Sequence, residues 1–222
     1  MGFPLFPTLR ELNLPLPRGV LQIGASYGQE MREFLENGIQ AGVFIEPLPE
    51  PFQHLSGLCK QIPNFVAVNT LCADEAGRSF VFNVASNGGM SSSILRPDQH
   101  LVVNEGVTFD AKMDIVSTTV DQVAGYLRQN GQAAVMDAID LLYMDCQGAE
   151  YRILLGANGT LRQIKYIYTE TMRGDLYAGQ VPFLSYCSHL DAIGFTLNDL
   201  HFEHPAQAGN ALFIRKDVLG LR

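Results

Sequence analysis

Val20-Leu-Gln-Ile-Gly-Ala-Ser-Tyr-Gly28, followed by Val43-Phe-Ile-Glu-Pro47, decides how this chain is read. A short apolar run enters a tight glycine turn, and a second apolar run ends in one carboxylate. Gly24 and Gly28 let the backbone approach a ligand where a Cβ would block it. The polar, helix-prone stretch after Gly28 begins a helix whose N-terminus faces that ligand. Glu46 follows Gly28 by eighteen positions, close to the roughly 20-residue offset of a ribose-binding acid in nucleotide folds. Together these features describe a site for a nucleoside-containing cofactor.

Glycine spacing argues against a dinucleotide. That fingerprint needs G-x-G-x-x-G so that a pyrophosphate can sit over the helix. Here the turn is Gly24-Ala25-Ser26-Tyr27-Gly28, with no third glycine at the helix start and a bulky Tyr27 in the turn. This suits a ligand without phosphate, such as S-adenosyl-L-methionine. A lone G-x-x-x-G also occurs in plain strand–helix turns, so Glu46 carries much of the weight.

The 222 residues are enough for one well-buried domain and short for two. No apolar stretch reaches the length of a membrane span. Residues 1–10 are broken by prolines and carry no basic leader. Cys59, Cys72, Cys146 and Cys187 are widely spaced, which reads as free thiols of a reducing compartment. The net charge of −8 argues against a nucleic-acid partner. A cytoplasmic protein is expected.

Apolar runs alternate with helical patterns, the mark of a parallel α/β sheet. Strands are expected over 20–23, 42–45, 65–69, 141–144 and 166–169, and helices over 29–37, 49–60, 119–129, 148–156 and 181–193. The runs 195–200 and 210–214 have no helix between them and predict a terminal hairpin with one antiparallel strand. The stretch 78–84 is strand-like. Residues 85–112, rich in Gly, Ser and Asn, form a lid-like insertion or a disordered one. Residues 1–18 are taken as an N-terminal extension to a domain covering 19–222.

A second block, Leu141-Leu-Tyr-Met-Asp145-Cys-Gln-Gly-Ala-Glu150, repeats the logic of the first: strand, acid, glycine, helix. Ligands of open α/β sheets bind at the carboxyl ends of the strands. Glu46, Asp145 and Glu170 all stand on that edge. Asp145 also reads as a helix cap, and Glu150 as a first-turn acid favoured by the helix dipole.

In this block the chain resembles the FkbM family of S-adenosylmethionine-dependent methyltransferases, whose hallmark is a strand ending in Lys-x-Asp-x-Glu-Gly-x-Glu. The resemblance runs from about Gly19 to Lys216. It takes in Gly24-Ala25-x-x-Gly28, Glu46-Pro47-x-Pro49, Ser91–Leu95, Thr118-Thr-Val-Asp121, Tyr168-x-Glu170, Gly194-Phe195 and Gly209-Asn-Ala-Leu-Phe213. It implies the class I methyltransferase fold, a Rossmann-like three-layer sandwich on a mostly parallel seven-stranded sheet with the last strand antiparallel. Three positions depart from the family. Its first-strand acid is Gln22 here, which leaves contact with the methionine ammonium to an amide oxygen or a backbone carbonyl. Its hallmark lysine is Tyr143 and its first hallmark glutamate is Gln147.

On this reading Glu46 and Pro47 meet the ribose, Gly24–Tyr27 the methionyl portion, and Leu71, Cys72 and Ala73 the adenine. Asp145 orients the donor or the acceptor. Methyl transfer is an in-line displacement helped by alignment, and a hydroxyl acceptor gains from a general base. The candidates are Asp145, Glu170 and, among the loop histidines His100, His201 and His204, His201. No spacing supports a metal site. Cys146 lies near a helix start but reads as packing. The expected function is O-methylation of a hydroxyl on a sugar or natural-product small molecule, releasing S-adenosyl-L-homocysteine. A homo-oligomer is left open. A non-catalytic S-adenosylmethionine-binding module and a nucleotide-dependent oxidoreductase are the alternatives.

Overall fold

The computed structural model describes residues 4–202 and 208–221. In chain order its elements are α1 (Leu5–Glu11), β1 (Gly19–Ile23), α2 (Met31–Glu36), β2 (Ala41–Ile45), α3 (Pro49–Cys59) and β3 (Phe65–Val68). Next come β4 (Leu71–Cys72), β5 (Ser79–Val84), β6 (Arg96–Pro97), α4 (His100–Val103), β7 (Ala111–Thr118), α5 (Val120–Leu127) and α6 (Ala133–Ala138). The last are β8 (Leu141–Met144), α7 (Glu150–Leu155), β9 (Tyr166–Met172), β10 (Tyr177–Ala178), α8 (Phe183–Ala192), β11 (Phe195–Phe202) and β12 (Ala208–Arg215).

Seven strands make the central sheet in the order β11-β12-β9-β8-β1-β2-β3. Strands β9, β8, β1, β2 and β3 are mutually parallel, and β12 runs antiparallel to both β9 and β11. The expected terminal hairpin and antiparallel last strand are therefore present. Chain order reverses direction between β1 and β8, so a crevice opens beyond their carboxyl ends, where open α/β sheets take ligands.

Strand periodicity sorts the core into two layers, because successive side chains point to opposite faces. Leu21, Val43, Leu142, Ile167 and Phe213 face α5–α8 residues such as Val123, Met136, Ile153 and Leu190. Val20, Phe44, Leu141, Tyr166 and Leu212 face α2 and α3, through Met31, Phe34 and Leu55. Each fully buried large apolar side chain contributes roughly 1.5–3 kcal/mol. Thr119 caps α5 by accepting the Gln122 N–H at 3.2 Å.

Residues 4–18 pack against this core. Leu5, Phe6 and Leu9 are buried in the same layer as Phe34 and Leu212. Asp140 ties the segment to the sheet: its carboxylate accepts the Arg18 N–H at 2.8 Å and lies 3.2 Å from both Arg18 Nε and Lys165 Nζ.

The region around 85–112 holds more regular structure than expected. Strand β5 pairs along its whole length with β7, and β7 also pairs with β4. Met113 and Ile115 of β7 pack with Phe80, Phe82 and Val84 in a small core of their own. Their alternation with Lys112 and Asp114 is a strand period of two. Further along, Asn83 Nδ2 donates to the Ser93 and Leu95 carbonyls, and β6 pairs with β10. Among the described residues, no helix is long and apolar enough to cross a membrane.

Candidate active site

The β1 turn is built to touch its neighbours. Gly24 has φ +77°, and a Cβ there would lie 1.9 Å from the Asp145 carbonyl oxygen, so only glycine fits. The N–H groups of Gly24 and Ala25 both donate to the Ile45 carbonyl at 3.0 Å. Glu46, at the tip of β2, then fastens two loops. Its Oε2 accepts the Ser26 N–H and its Oε1 the Leu48 N–H, each at 2.8 Å. Burial pushes the Glu46 carboxyl up to about 7, against the opposing pull of those two N–H donors.

Gly24, Ser26, Glu46 and Pro47 line one crevice at the carboxyl edge of the sheet. Leu71, Cys72 and Asp145 line it as well. Five residues expected to bind the cofactor are not among those lining the crevice. Gln22 is buried within β1, where side chains of a strand flanked on both faces turn into the core, and it donates Nε2 to Glu30 Oε2 at 2.8 Å. Ala25 and Ala73 are fully buried, with their N–H groups spent on Ile45 and Thr118. Tyr27 is half-buried, its ring 5.8 Å from that of His54. Gly28 lies over Leu55 and Met31 and serves helix packing.

A cluster of carboxyls closes the far side. Gln147 Nε2 donates to Asp145 Oδ1 at 2.7 Å and to Glu170 Oε2 at 2.9 Å. Its Oε1 accepts the Tyr177 hydroxyl at 2.8 Å, and Ser93 Oγ donates to its carbonyl at 2.8 Å. Asp145 and Glu170 sit within hydrogen-bonding reach of one another. Burial beside Asp145 and Glu150 drives Glu170 well above the usual carboxylate range, which favours its protonated form next to Asp145. Asp145, though exposed at the crevice wall, is raised as well by the protein packed around its carboxyl, against the opposing pull of Gln147 and Glu170. Asp145 opens into the main crevice, whereas Glu170 lines a smaller pocket with Glu150, Phe183 and Tyr186. Glu150 accepts the Cys146 N–H at 2.8 Å, and burial lifts it to about 7.

The two hallmark departures separate in space. Tyr143 packs between Phe34 and Tyr168, with ring centroids 5.5 and 5.0 Å away, while Gln147 bridges the acids. His201 is exposed on edge strand β11 and lines neither pocket. Its register partner Asn210 lies opposite Glu170, so two strand spacings, roughly 10 Å, separate the backbones. His100 is buried against Phe109 and Tyr177, and His204 lies outside the described residues.

Several lining residues escaped the sequence reading. Glu30 follows the glycine turn and looks like an ordinary first-turn acid. Phe82 of β5, with Met90 and Ile94 from the segment after it, lines the crevice too. Only the side-chain alternation of 79–84 hinted at an inward Phe82.

The model of the methyltransferase FkbM domain matches residues 22–201. This chain belongs to the FkbM methyltransferases. NoeI of Sinorhizobium fredii (strain NBRC 101917 / NGR234), a 2-O-methyltransferase, is 29% identical over 170 residues, 73% of this chain and 67% of NoeI. Among solved structures, a fibrillarin/Nop5p complex aligns with a TM-score of 0.54 at 13% identity, covering 95% of this chain and 79% of that one. That likeness supports the class I methyltransferase fold.

This FkbM methyltransferase uses S-adenosylmethionine, and the crevice fits that molecule chemically. Leu71, Cys72 and Phe82 offer apolar walls to a flat base, Glu46 offers acceptors to hydroxyls, and Glu30 and Asp145 suit a cationic end.

Proposed function

We propose that this methyltransferase acts on a hydroxyl oxygen of a small molecule, a sugar or natural-product scaffold, with Asp145 as proton acceptor. The observation that carries the reading is the Asp145–Glu170 pair bridged by Gln147. Glu170 is driven up more strongly than Asp145, so Asp145 is the member of the pair that gives up its proton first, and it faces the crevice. Two carboxyls this close do not both ionise readily, so their roles divide.

S-adenosylmethionine supplies an electrophilic methyl group on a sulfonium when bound. Glu46 accepts ribose hydroxyls on the lone pairs its two backbone N–H partners leave open. Leu71 and Cys72 flank the base, and the Gly24–Ser26 backbone meets the methionyl end. Asp145 takes the acceptor's hydroxyl proton as the carbon–oxygen bond forms. Alignment of acceptor and methyl supplies much of the rate. Segment 85–112 acts as a lid whose Met90, Ser92 and Ile94 keep water from the reacting atoms.

Oxygen as the acceptor atom is supported by the likeness to NoeI, and by the acidic crevice, which disfavours an anionic acceptor. The free thiols of Cys59, Cys72, Cys146 and Cys187 support a reducing compartment such as the cytoplasm.

The test is an acceptor screen with methyl-deuterated S-adenosylmethionine, read by mass spectrometry across neutral glycosides, polyols, phenols, amines and carboxylic acids. Labelled methyl ethers of a neutral alcohol, lost in Asp145→Asn, are expected. Labelled amines or esters instead would overturn the oxygen assignment.

A further inference from the structure

Tyr177 lines neither the crevice nor the smaller pocket, yet its hydroxyl reaches the acids through one intermediate. It opens β10, where pairing with Pro97 of β6 holds its backbone and Gln180 Oε1 accepts its N–H at 3.0 Å. The side chain is fully buried, its ring 5.4 Å from that of His100. A phenylalanine would fill the same space. The hydroxyl therefore needs partners of its own, since a buried polar group is costly unless hydrogen-bonded. Two acceptors meet it at 2.8 Å, the Ser91 carbonyl of segment 85–112 and Gln147 Oε1.

A side-chain amide carries an oxygen on one arm and an NH2 group on the other, and the two are nearly equal in size. Shape alone does not choose between the two orientations of Gln147. One arm faces two carboxyls, Asp145 at 2.7 Å and Glu170 at 2.9 Å. With Nε2 on that side each carboxyl gains a donor, whereas Oε1 there would set lone pairs against an ionised acid. The other arm faces Tyr177, which has one proton for its two acceptors. Given to Gln147 Oε1, that proton locks Nε2 toward the acids. Given to the Ser91 carbonyl, it leaves a lone pair toward Gln147, which the amide meets by turning Nε2 away from the acids.

We propose that Tyr177 is a positioning residue for Asp145, its hydroxyl setting which arm of the Gln147 amide faces the two acids. It ties segment 85–112 to the acid that faces the acceptor, beside Ser93 Oγ, which donates to the Gln147 carbonyl. This rests on the reading of Asp145 as proton acceptor. The other titratable groups around Asp145 are Glu30 just before α2, Glu46 at the tip of β2, Tyr143 of β8, Cys146, Glu150 of α7 and Glu170 of β9. Neither lysine nor arginine lines the crevice among the described residues. Losing the amide donor among these acids moves Asp145 toward its protonated form.

The experiment follows Asp145 directly, by carboxyl-carbon NMR titration of protein with isotope-labelled aspartate. The Asp145 signal is assigned by its loss in Asp145→Asn. Tyr177→Phe keeps the ring and removes the hydroxyl. Its Asp145 midpoint is expected to rise by about one pH unit, a tenfold change in ionisation, with S-adenosylhomocysteine affinity within about twofold of wild type. In a Gln147→Met background there is no amide to orient, and Tyr177→Phe should add nothing. A midpoint unmoved by Tyr177→Phe, or moved as far without Gln147 as with it, would overturn the proposal. Wild type carries a second readout that needs no change at Tyr177. Both side-chain N–H signals of Gln147, assigned by their loss in Gln147→Met, should shift as Asp145 titrates, and signals indifferent to that titration would also overturn it. Methyl transfer to the screened acceptor that survives in Asp145→Asn would instead sink the proton-acceptor reading, and would leave these titrations as they are.

Discussion

The side-chain amide of Gln147 donates to Glu170 Oε2 across 2.9 Å, from a residue whose own backbone sits at φ +54°. A left-handed conformation costs a non-glycine residue roughly 1–3 kcal/mol and persists where surroundings hold it. Here the Ser93, Tyr177, Asp145 and Glu170 contacts do so. The amide is the only member of the cluster able to donate to two carboxyls at once.

Gln147→Glu would put a third carboxyl in that cluster. Repulsion would then raise Asp145 further, so its ionised form would appear only at higher pH. Activity at pH 7 should fall about tenfold or more, with the alkaline side of the rate profile partly restoring it. A pH–rate profile of the variant checks this, and an unchanged profile would remove Gln147 from the account.

Asp145→Asn keeps the shape and removes the base. General-base loss typically costs about 10²–10⁴ in rate, and that range is expected in kcat. Binding of S-adenosylhomocysteine should change only several-fold. Single-turnover rates beside calorimetry separate the two effects.

Stability should depend on pH through Glu46 and Glu150, both raised to about 7 by burial. Burial favours their protonated forms in the folded chain. Their contribution is therefore complete below about 4.5 and is lost as pH climbs through 7. Without cofactor, the Tm should drop by roughly several degrees between pH 5.5 and 8. Glu46→Gln should flatten that slope in a thermal melt, and a slope of opposite sign would contradict the burial argument.

Asp140→Ala tests how the chain's first segment is held. The carboxylate is 1% exposed and faces Arg18 and Lys165 as well as the Arg18 N–H. Removing it strands a buried N–H and unpairs two cations, at a cost of about 2–4 kcal/mol. Urea unfolding measures that loss. Cofactor affinity of the folded variant should be unchanged, because Asp140 sits at the opposite end of the sheet from Asp145.

The parallel sheet, the β1 turn and the strand-tip acids were legible because apolar runs, glycines and carboxylates recur in a fixed order. Gly24 and Glu46 meet in space through Ser26 as their spacing implied. Side-chain direction was not legible. Gln22 and Tyr27 are adjacent to the crevice in sequence yet are not among the residues lining it, one buried in the core and one beside His54. Glu30 was passed over for the converse reason, since a first-turn acid carries no distinguishing pattern, and Gln147 stood out only as a departure from the hallmark, without a sign that it bridges two acids. Strand β7 was missed because its alternation of Met113 and Ile115 with charged neighbours sits beside a glycine- and serine-rich stretch that dominates the local composition.

The most direct measurement is calorimetric titration of S-adenosylmethionine and S-adenosylhomocysteine into wild type and Glu46→Ala. The account predicts micromolar binding of both by wild type. It predicts at least a tenfold loss in the variant, as the ribose acceptor and the Ser26 and Leu48 anchor go together. No binding by wild type, or full affinity in a folded Glu46→Ala protein, would contradict it.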